Sequence, residues 1–191
     1  QNEKREPYTV TEPIELEMGE TLMTLFPDEG FKITCTSADK QGRFTQFFST
    51  DVTPKTWETD LAHARTFCFY EEIEYLIKNG LIKGGSLENA VVIRDDAVLT
   101  TEPLRYAEEF VRHKMLDAVG DLALAGAPIL GSYRSRKGGH RLNAHVLQAL
   151  FARTVGGGAV RAHTVAVDLA LQRLGRRTGQ HPAFAGREAV G

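Results

Sequence analysis

Hydrophobic and polar residues alternate along the first quarter of the chain, and this pattern predicts β-strands. Residues 13–26 are predicted to form a hairpin, because apolar residues alternate with polar ones and Gly19-Glu20 supplies a turn. Residues 31–35 alternate in the same way, which is typical of a half-buried strand. A polar turn separates this strand from another one over residues 43–49. The chain is therefore expected to begin with a set of short strands.

Apolar residues at helical spacing predict three helices further along the chain. The first covers residues 70–79 and is followed by Gly80, a residue type that often ends helices. The second covers residues 108–121, and the third runs through residues 142–151. The apolar stripe of the second helix consists of Val111, Met115, Ala118 and Leu122.

Further strands are predicted between the helices, and together the elements indicate a fold class. Residues 90–93 and 97–99 form a strand pair around an Asp-Asp turn, and residues 129–134 form a later strand. Strands come first, and the helices follow without a regular β-α-β alternation. We therefore expect an α+β two-layer sandwich, with helices on one face of a largely antiparallel sheet.

Composition narrows the functional classes. The 191 residues are 42% hydrophobic, enough for a buried core, and the net charge of -2 gives no reason to expect nucleic-acid binding. Two cysteines are too few for a disulfide framework, which is typical of a reducing compartment. No apolar run approaches the roughly 20 residues of a membrane span. The N-terminal sequence lacks both the apolar core of a signal peptide and an initiator Met. We therefore expect a cytoplasmic chain that begins inside a longer protein.

A histidine and a carboxylate on the second helix could share a ligand. His113 and Asp117 are four residues apart, so their side chains project from the same helix face and could hold a divalent metal ion. The alternative is a solvated pair that stabilises the helix by about 0.2–0.5 kcal/mol. Asp121 lies one turn further along and adds negative charge. Spacing alone leaves both interpretations open, since two ligands do not complete a metal site.

Two other segments can be interpreted either as functional or as purely structural. His140 lies on a glycine-flanked loop just before the third helix, and is either an exposed loop residue or a group brought close to a ligand. The field at a helix N-terminus disfavours an imidazolium, and a nearby carboxylate would restore it. Phe67, Phe69 and Tyr70 lie just ahead of the apolar stripe of the first helix, and they either belong to the core or line a passage for an alkyl chain.

Seven sequence blocks, taken together, resemble a single family. They comprise residues 64–69, 73–76, 84–90, 104–106, 109–121, 139–140 and 142–143. The block that carries His113 contains the run Glu-Phe-Val-Arg-His-Lys-Met-Leu-Asp. In order and spacing, over about residues 13–152, the blocks resemble the bacterial UDP-3-O-acyl-N-acetylglucosamine deacetylases. These are the zinc enzymes at the committed step of lipid A biosynthesis.

The resemblance implies a domain organisation that this chain covers only in part. Members of the family have two domains of similar topology, each a sheet layered on two helices, with the active site between them. Residues 1–155 resemble the second domain, including a β-α-β insert at about residues 64–94. The first domain would then be a partner, in cis or in trans. Residues 156–191 are expected to lie outside the resemblance and to be partly disordered, and no role is assigned to them.

The resemblance also implies a metal and assigns residues to it. The family's Zn²⁺ has three protein ligands, and His113 and Asp117 would be two of them. The third is a first-domain histidine beside the glutamate that acts as general base. No stretch of this sequence matches that Glu-His motif, so the chain as given would hold half of the zinc site. His140 would be protonated and would stabilise the oxyanion or protonate the leaving amine. Asp121 would keep it in that form, and Thr66 would donate a hydrogen bond to the same oxyanion.

Substrate-binding residues follow from the same resemblance. Lys114 would contact the polar head of UDP-3-O-acyl-N-acetylglucosamine. The acyl tunnel and the remaining substrate contacts would be made by Phe67, Phe69, Ile73, Gly85, Ser86 and Ala90. The expected function is zinc-dependent hydrolysis of the N-acetyl group of this substrate by the complete two-domain enzyme. The alternatives are a non-catalytic module that binds the acyl-sugar nucleotide and a half-enzyme that meets its first domain in trans.

Overall fold

A mixed β-sheet forms the body of the computed structural model, which describes residues 4–79, 90–95 and 97–154. The strands within these ranges are β1 Tyr8–Thr9, β2 Ile14–Met18, β3 Thr21–Phe26, β4 Phe31–Ala38, β5 Thr45–Asp51, β6 Thr66–Phe69, β7 Ala90–Arg94, β8 Ala97–Leu99 and β9 Ile129–Arg136. All the predicted strands are confirmed. The sequence pattern did not predict β1 and β6.

Strand β9 lies at the centre of the main sheet, although it is the last strand of the described chain. The order is β2-β3-β9-β4-β5, and the short β1 also pairs with β9. Strand β9 runs antiparallel to β3 but parallel to β4, with Ile33 opposite Tyr133. The hairpins β2–β3 and β4–β5 are antiparallel and flank this centre. The α+β class is confirmed, and the main sheet combines antiparallel pairs with parallel pairing of β9 to β4 and to β1.

Helices occupy the three predicted stretches and one that was not predicted. In chain order they are α1 Pro54–Thr56, α2 Tyr70–Lys78, α3 Glu109–Leu122 and α4 His140–Thr154. Helix α1 continues as a π-helical turn, Trp57–Leu61. A Thr-Pro step begins this helix: the Thr53 hydroxyl accepts a hydrogen bond from the Thr56 backbone, and Pro54 is the first helical residue. Gly80, expected at the end of α2, lies outside the described residues.

Helices α3 and α4 pack on one face of the main sheet, as predicted. Met115 of α3 and Leu147 of α4 are fully buried with Ile33 and Tyr133 of the central strands. Burying an aliphatic side chain of this size contributes about 1.5–3 kcal/mol. The helices are therefore fixed against the sheet by their apolar sides, which leaves the polar side of α3 available to line a cleft.

A smaller sheet forms the β-α-β insert that the resemblance implies. Strand β6 pairs in parallel with β7 across α2, and β8 adds an antiparallel strand. Val91 and Ile93 of β7 pack with Phe110 of α3, so apolar contacts attach the insert to the main body. The glycine-rich loop at 84–86 lies outside the described residues. In the described ranges, no helix combines the length and apolar character that crossing a membrane requires.

Candidate active-site cleft

An open cleft lies where α3, the insert and the loop before α4 meet. Its volume is about 840 Å³. Strand β6 and the middle of α3 supply two walls, and the β4–β5 loop and residues 137–140 contribute to the others. The predicted site residues that line this cleft are Thr66, Phe67, Phe69, His113, Lys114, Asp117 and His140. The structure thus brings seven of the predicted residues to one place.

The His113 ring is oriented by a backbone carbonyl. Its Nδ1 lies 3.1 Å from the carbonyl oxygen of Ala64. Because a carbonyl oxygen can only accept, Nδ1 must carry the proton, which leaves a lone pair on Nε2. Nε2 lies 3.5 Å from Oδ1 of Asp117, and the two side chains are only 18% and 24% exposed. The pair therefore sits in the cleft wall rather than on an open helix surface. Its role as a metal site stays a prediction.

His140 is held by a carboxylate from α3. Its Nδ1 donates a hydrogen bond of 2.7 Å to Oδ2 of Asp121, and its Nε2 lies 4.0 Å from Oδ2 of Asp117. The hydrogen bond that His140 donates to Asp121 is the main reason that the pKa of His140 is raised; burial opposes the rise, and the charges of Asp121 and Asp117 support it. A protonated imidazole is therefore favoured at this position.

The segment just before His140 packs closely on β9, since a Cβ at Gly138 would lie 2.1 Å from Oγ of Ser135.

Asp121 is itself fixed by a hydrogen-bond chain that reaches into the core. Asn143 donates from Nδ2 to Oδ2 of Asp121 at 2.7 Å, and the Tyr133 hydroxyl donates to Oδ1 of Asn143 at 2.6 Å. Burial raises the pKa of Tyr133, so its hydroxyl remains a donor at neutral pH. Asn143 belongs to a block that carries the resemblance, but no pattern in the sequence predicts its hydrogen bond to Asp121.

Replacing Tyr133 by phenylalanine should lower the free energy of unfolding by about 1–3 kcal/mol, because the buried Asn143 oxygen would lose its donor. Urea unfolding of the 191-residue chain, followed by circular dichroism, measures this change. Tyr70→Phe is the matched control, since the Tyr70 ring is 39% exposed. Equal stability of Tyr133→Phe and the wild type would contradict the proposed chain.

Aromatic rings form one side of the cleft and also pack against the apolar residues that attach the insert to the main body. The Phe67 ring lies 4.9 Å from Phe110, 5.8 Å from Phe44 and 6.3 Å from Phe69, measured between centroids. Phe67 and Phe69 are half-buried and line the cleft. The two interpretations of this segment, core and apolar passage, are therefore compatible.

Of the remaining predicted site residues, some line the cleft and others do not. Thr66 is exposed and Lys114 half-buried, and both side chains line the cleft. Ile73 and Ala90 are half-buried and do not belong to the part of the cleft wall that the described residues form. Gly85 and Ser86 lie outside the described residues.

Arg43 was not predicted as a site residue. Its Nε donates to Oδ2 of Asp39 at 2.7 Å, and its Nη1 donates to Oε1 of Glu71 at 3.0 Å. Its guanidinium also lies 4.0 Å from the centroid of the Phe69 ring. Arg43 thus connects the β4–β5 loop to the insert across one end of the cleft, a contact between distant segments that no local pattern indicates.

Comparison with known proteins shows which family the chain belongs to. The sequence model of the UDP-3-O-acyl N-acetylglycosamine deacetylases matches residues 1–152. The chain belongs to this family. All the site residues that the structure describes lie inside the matched region.

Two curated relatives of this deacetylase family are similar over most of the chain. The UDP-3-O-acyl-N-acetylglucosamine deacetylase of Anaeromyxobacter sp. (strain Fw109-5) is 42% identical over 149 residues, which cover 78% of this chain and 49% of the relative. The enzyme of the same name from Anaeromyxobacter dehalogenans (strain 2CP-C) is 40% identical over 182 residues, 95% of this chain and 54% of the relative. The chain therefore spans about half the length of the curated relatives it matches.

The family match and the second alignment end at different places in the C-terminal segment, the family match at residue 152. A match of 182 residues in a chain of 191 must extend beyond residue 155. Residues 156–191 therefore lie outside the family match, although this one alignment extends into them. The predicted domain boundary near residue 155 and the predicted partial disorder of the segment fall on residues outside the described ranges, and stay predictions.

Proposed function

We propose that this chain supplies one half of the active site of a UDP-3-O-acyl-N-acetylglucosamine deacetylase, which removes the N-acetyl group at the committed step of lipid A biosynthesis. The supporting observation is that His113, Asp117 and His140 line one cleft of a chain of this family, with Asp117 beside His113 and Asp121 hydrogen-bonded to His140. Cys35 and Cys68 are free thiols, which is in keeping with a cytoplasmic location.

The donors on α3 fit a zinc ion in their chemistry. Zinc favours neutral imidazole and carboxylate ligands, and a metal-binding histidine usually donates its other ring N–H to a carbonyl or carboxylate. His113 shows this arrangement toward Ala64, with Asp117 beside its free nitrogen. Among the described residues, no three His, Cys, Asp or Glu side chains are grouped so that they could hold a metal ion. His113 and Asp117 would hold Zn²⁺ together with a ligand from the first domain. Such an ion supplies a Lewis acid for the attack of water on an amide carbonyl.

His140 supplies the proton chemistry of this half. Asp121 favours its imidazolium form, so His140 holds a proton on Nε2, the nitrogen that faces the Asp117 side of the cleft. From there it donates to the developing oxyanion or to the leaving amine. Thr66 and Lys114, on neighbouring walls, add a hydroxyl donor for the oxyanion and a cation for the polar head of the substrate.

The acyl chain of the substrate would bind along the aromatic side of the cleft. Phe44, Phe67 and Phe69 present apolar surface there. Each methylene that this surface removes from water contributes about 0.8 kcal/mol to binding. The apolar wall would therefore select substrates by the presence and length of an acyl chain.

The isolated chain should bind zinc weakly and should not release acetate from the acyl-sugar nucleotide. Within the described ranges the cleft offers two protein ligands, His113 and Asp117, whereas a catalytic zinc site usually has three. Zinc content after dialysis against a mild chelator and an acetate-release assay check this prediction. A stoichiometric zinc that survives dialysis, or turnover by the pure chain, would contradict it.

Joining the chain to the missing half tests the function itself. The part of the Anaeromyxobacter sp. (strain Fw109-5) relative that this chain does not cover can be fused in front of it or added as a separate protein. Acetate release by the fusion supports the proposal, and release by the mixture favours assembly in trans. The same fusion with His113→Ala is the control. Substrate binding without acetate release by a folded, zinc-loaded fusion would favour the non-catalytic module.

A further inference from the structure

A buried ion pair connects Arg65, the residue before strand β6, to Glu109 in the first turn of α3. Arg65 is 5% exposed and Glu109 is fully buried. The Arg65 side chain donates from Nε to Oε1 of Glu109 at 2.8 Å and from Nη2 to Oε2 at 3.1 Å. The Arg105 backbone N–H donates to the same Oε2 at 2.8 Å. Both Arg65 and Glu109 belong to the blocks that carry the resemblance, yet neither has a role in the proposed chemistry.

The amide between Ala64 and Arg65 is held on both sides by α3. Its N–H donates to Oε1 of Glu109 at 2.9 Å, and its C=O lies 3.1 Å from Nδ1 of His113. These two groups belong to a single planar unit and point in opposite directions in a trans peptide. Glu109 and His113 are four residues apart, about 6 Å along the helix axis and on the same face. One peptide plane therefore spans one turn of α3.

This geometry couples the buried pair to the His113 ring. Rotating the peptide plane to break the Glu109 contact would also turn the carbonyl away from Nδ1. The guanidinium of Arg65 prevents Glu109 from moving, because it also donates to Oγ1 of Thr100 and to the carbonyl of Pro103, both at 3.0 Å. The position of the carbonyl is thus determined by groups that do not touch the cleft.

We propose that Arg65 and Glu109 are positioning residues: they fix the Ala64–Arg65 amide, whose carbonyl holds the proton of His113 on Nδ1 and turns Nε2 toward the cleft. The proposal rests on the proposed function only in giving Nε2 the task of binding metal. A purely structural role of the pair would affect stability and leave the His113 tautomer unchanged.

Nitrogen-15 NMR of the histidine ring tests the proposal without any metal or substrate. Measured on the 191-residue chain at about pH 9, where an ordinary histidine is neutral, His113 should show one tautomer with the proton on Nδ1. Glu109→Gln keeps the size of the side chain but places an amide NH₂ among the donors of Arg65 and Arg105. In this variant the single Nδ1–H pattern should be replaced by a mixture of both tautomers. Zinc affinity, followed on the same resonances, should fall about tenfold or more, as for other groups that orient a metal ligand.

Glu108→Gln is the matched control, because Glu108 is the neighbouring residue but is 39% exposed and pairs only with Arg112 in the described structure, at 3.3 Å. It should leave the His113 tautomer unchanged. A folded Glu109→Gln chain that keeps the pure Nδ1–H pattern would overturn the proposal, as would an equal change in both variants.

A measurement on the wild type covers the case in which Glu109→Gln does not fold. The Arg65 amide proton should exchange with solvent as slowly as the amides of the central strand β9, since it is buried and bonded to a carboxylate. Exchange as fast as that of an exposed loop would overturn the proposal. Neither result depends on acetate release, so failure of the proposed function would be seen separately, in the fusion protein.

Discussion

Replacing His113 by alanine in the fusion protein of the proposed two halves should abolish stoichiometric zinc binding and lower turnover by more than about 10²-fold. Groups that merely orient a metal ligand cost about 10–100-fold when lost, and a ligand itself should cost more. The fold should survive, because the His113 side chain is 18% exposed and does not belong to the apolar core between the helices and the main sheet. Zinc content, acetate release and far-UV circular dichroism, measured on one preparation, check the three parts of this expectation.

Asp117→Ala should behave in the same way, and His145→Ala should not. His145 is a half-buried histidine on α4 that does not line the described cleft, so it controls for the loss of an imidazole as such. Full zinc occupancy in His113→Ala or in Asp117→Ala would mean that this residue is not a ligand. If both variants kept their zinc, the interpretation as a helix ion pair would replace the metal site.

His140→Ala should lower kcat by roughly 10²-fold or more, the usual effect of losing an oxyanion donor or a general acid. KM and zinc content should change little, because in the proposed mechanism the proton on His140 acts mainly in the transition state. Steady-state kinetics of the complete enzyme with metal analysis separate these effects. An unchanged kcat would exclude His140 from the chemistry.

Asp121→Asn should move the basic limb of the pH–rate profile to lower pH. In the wild type, the hydrogen bond to Asp121 and its charge raise the pKa of His140, so the imidazolium, the form that acts in the proposed mechanism, persists to higher pH. Without the negative charge this pKa falls, and His140 loses its proton at a lower pH. Asn can keep a hydrogen bond to the ring, so the variant isolates the effect of charge. A shift of the limb to higher pH would contradict the His140–Asp121 pair.

Local patterns were enough to predict most elements of this fold. The hairpin 14–26 and helix α3 follow from periodicities of two and of about four residues, which are set by neighbours in sequence. Strand β6 was missed because its run Thr-Phe-Cys-Phe lacks alternation. Helix α1 was missed because a Thr-Pro step is as typical of a turn as of a helix start. The central position of β9, parallel to β4, depends on contacts between segments about 100 residues apart, and no local pattern contains it.

In the candidate site, too, local features were predicted and contacts between distant segments were not. The His113–Asp117 pair is visible as a four-residue spacing on one helix. The pairing of His140 with Asp121 joins two elements, and it was expected only through the resemblance. The contacts of Arg43 with the insert and the Tyr133–Asn143 chain behind Asp121 were not predicted, because each requires knowing which elements pack together.

The late arrival of the central strand has a consequence for synthesis of the protein. Strand β9 begins at Ile129, and its neighbours β3 and β4 end at Phe26 and Ala38. A ribosome adding about 5–20 residues per second needs roughly 5–20 s to make the intervening chain. During this time both hairpins expose an inner edge with unpaired backbone groups, which other nascent chains can pair with. Folding of the sheet can be completed only after β9 leaves the ribosome, so the interval before its release is when the growing chain is most exposed to aggregation and most dependent on chaperones.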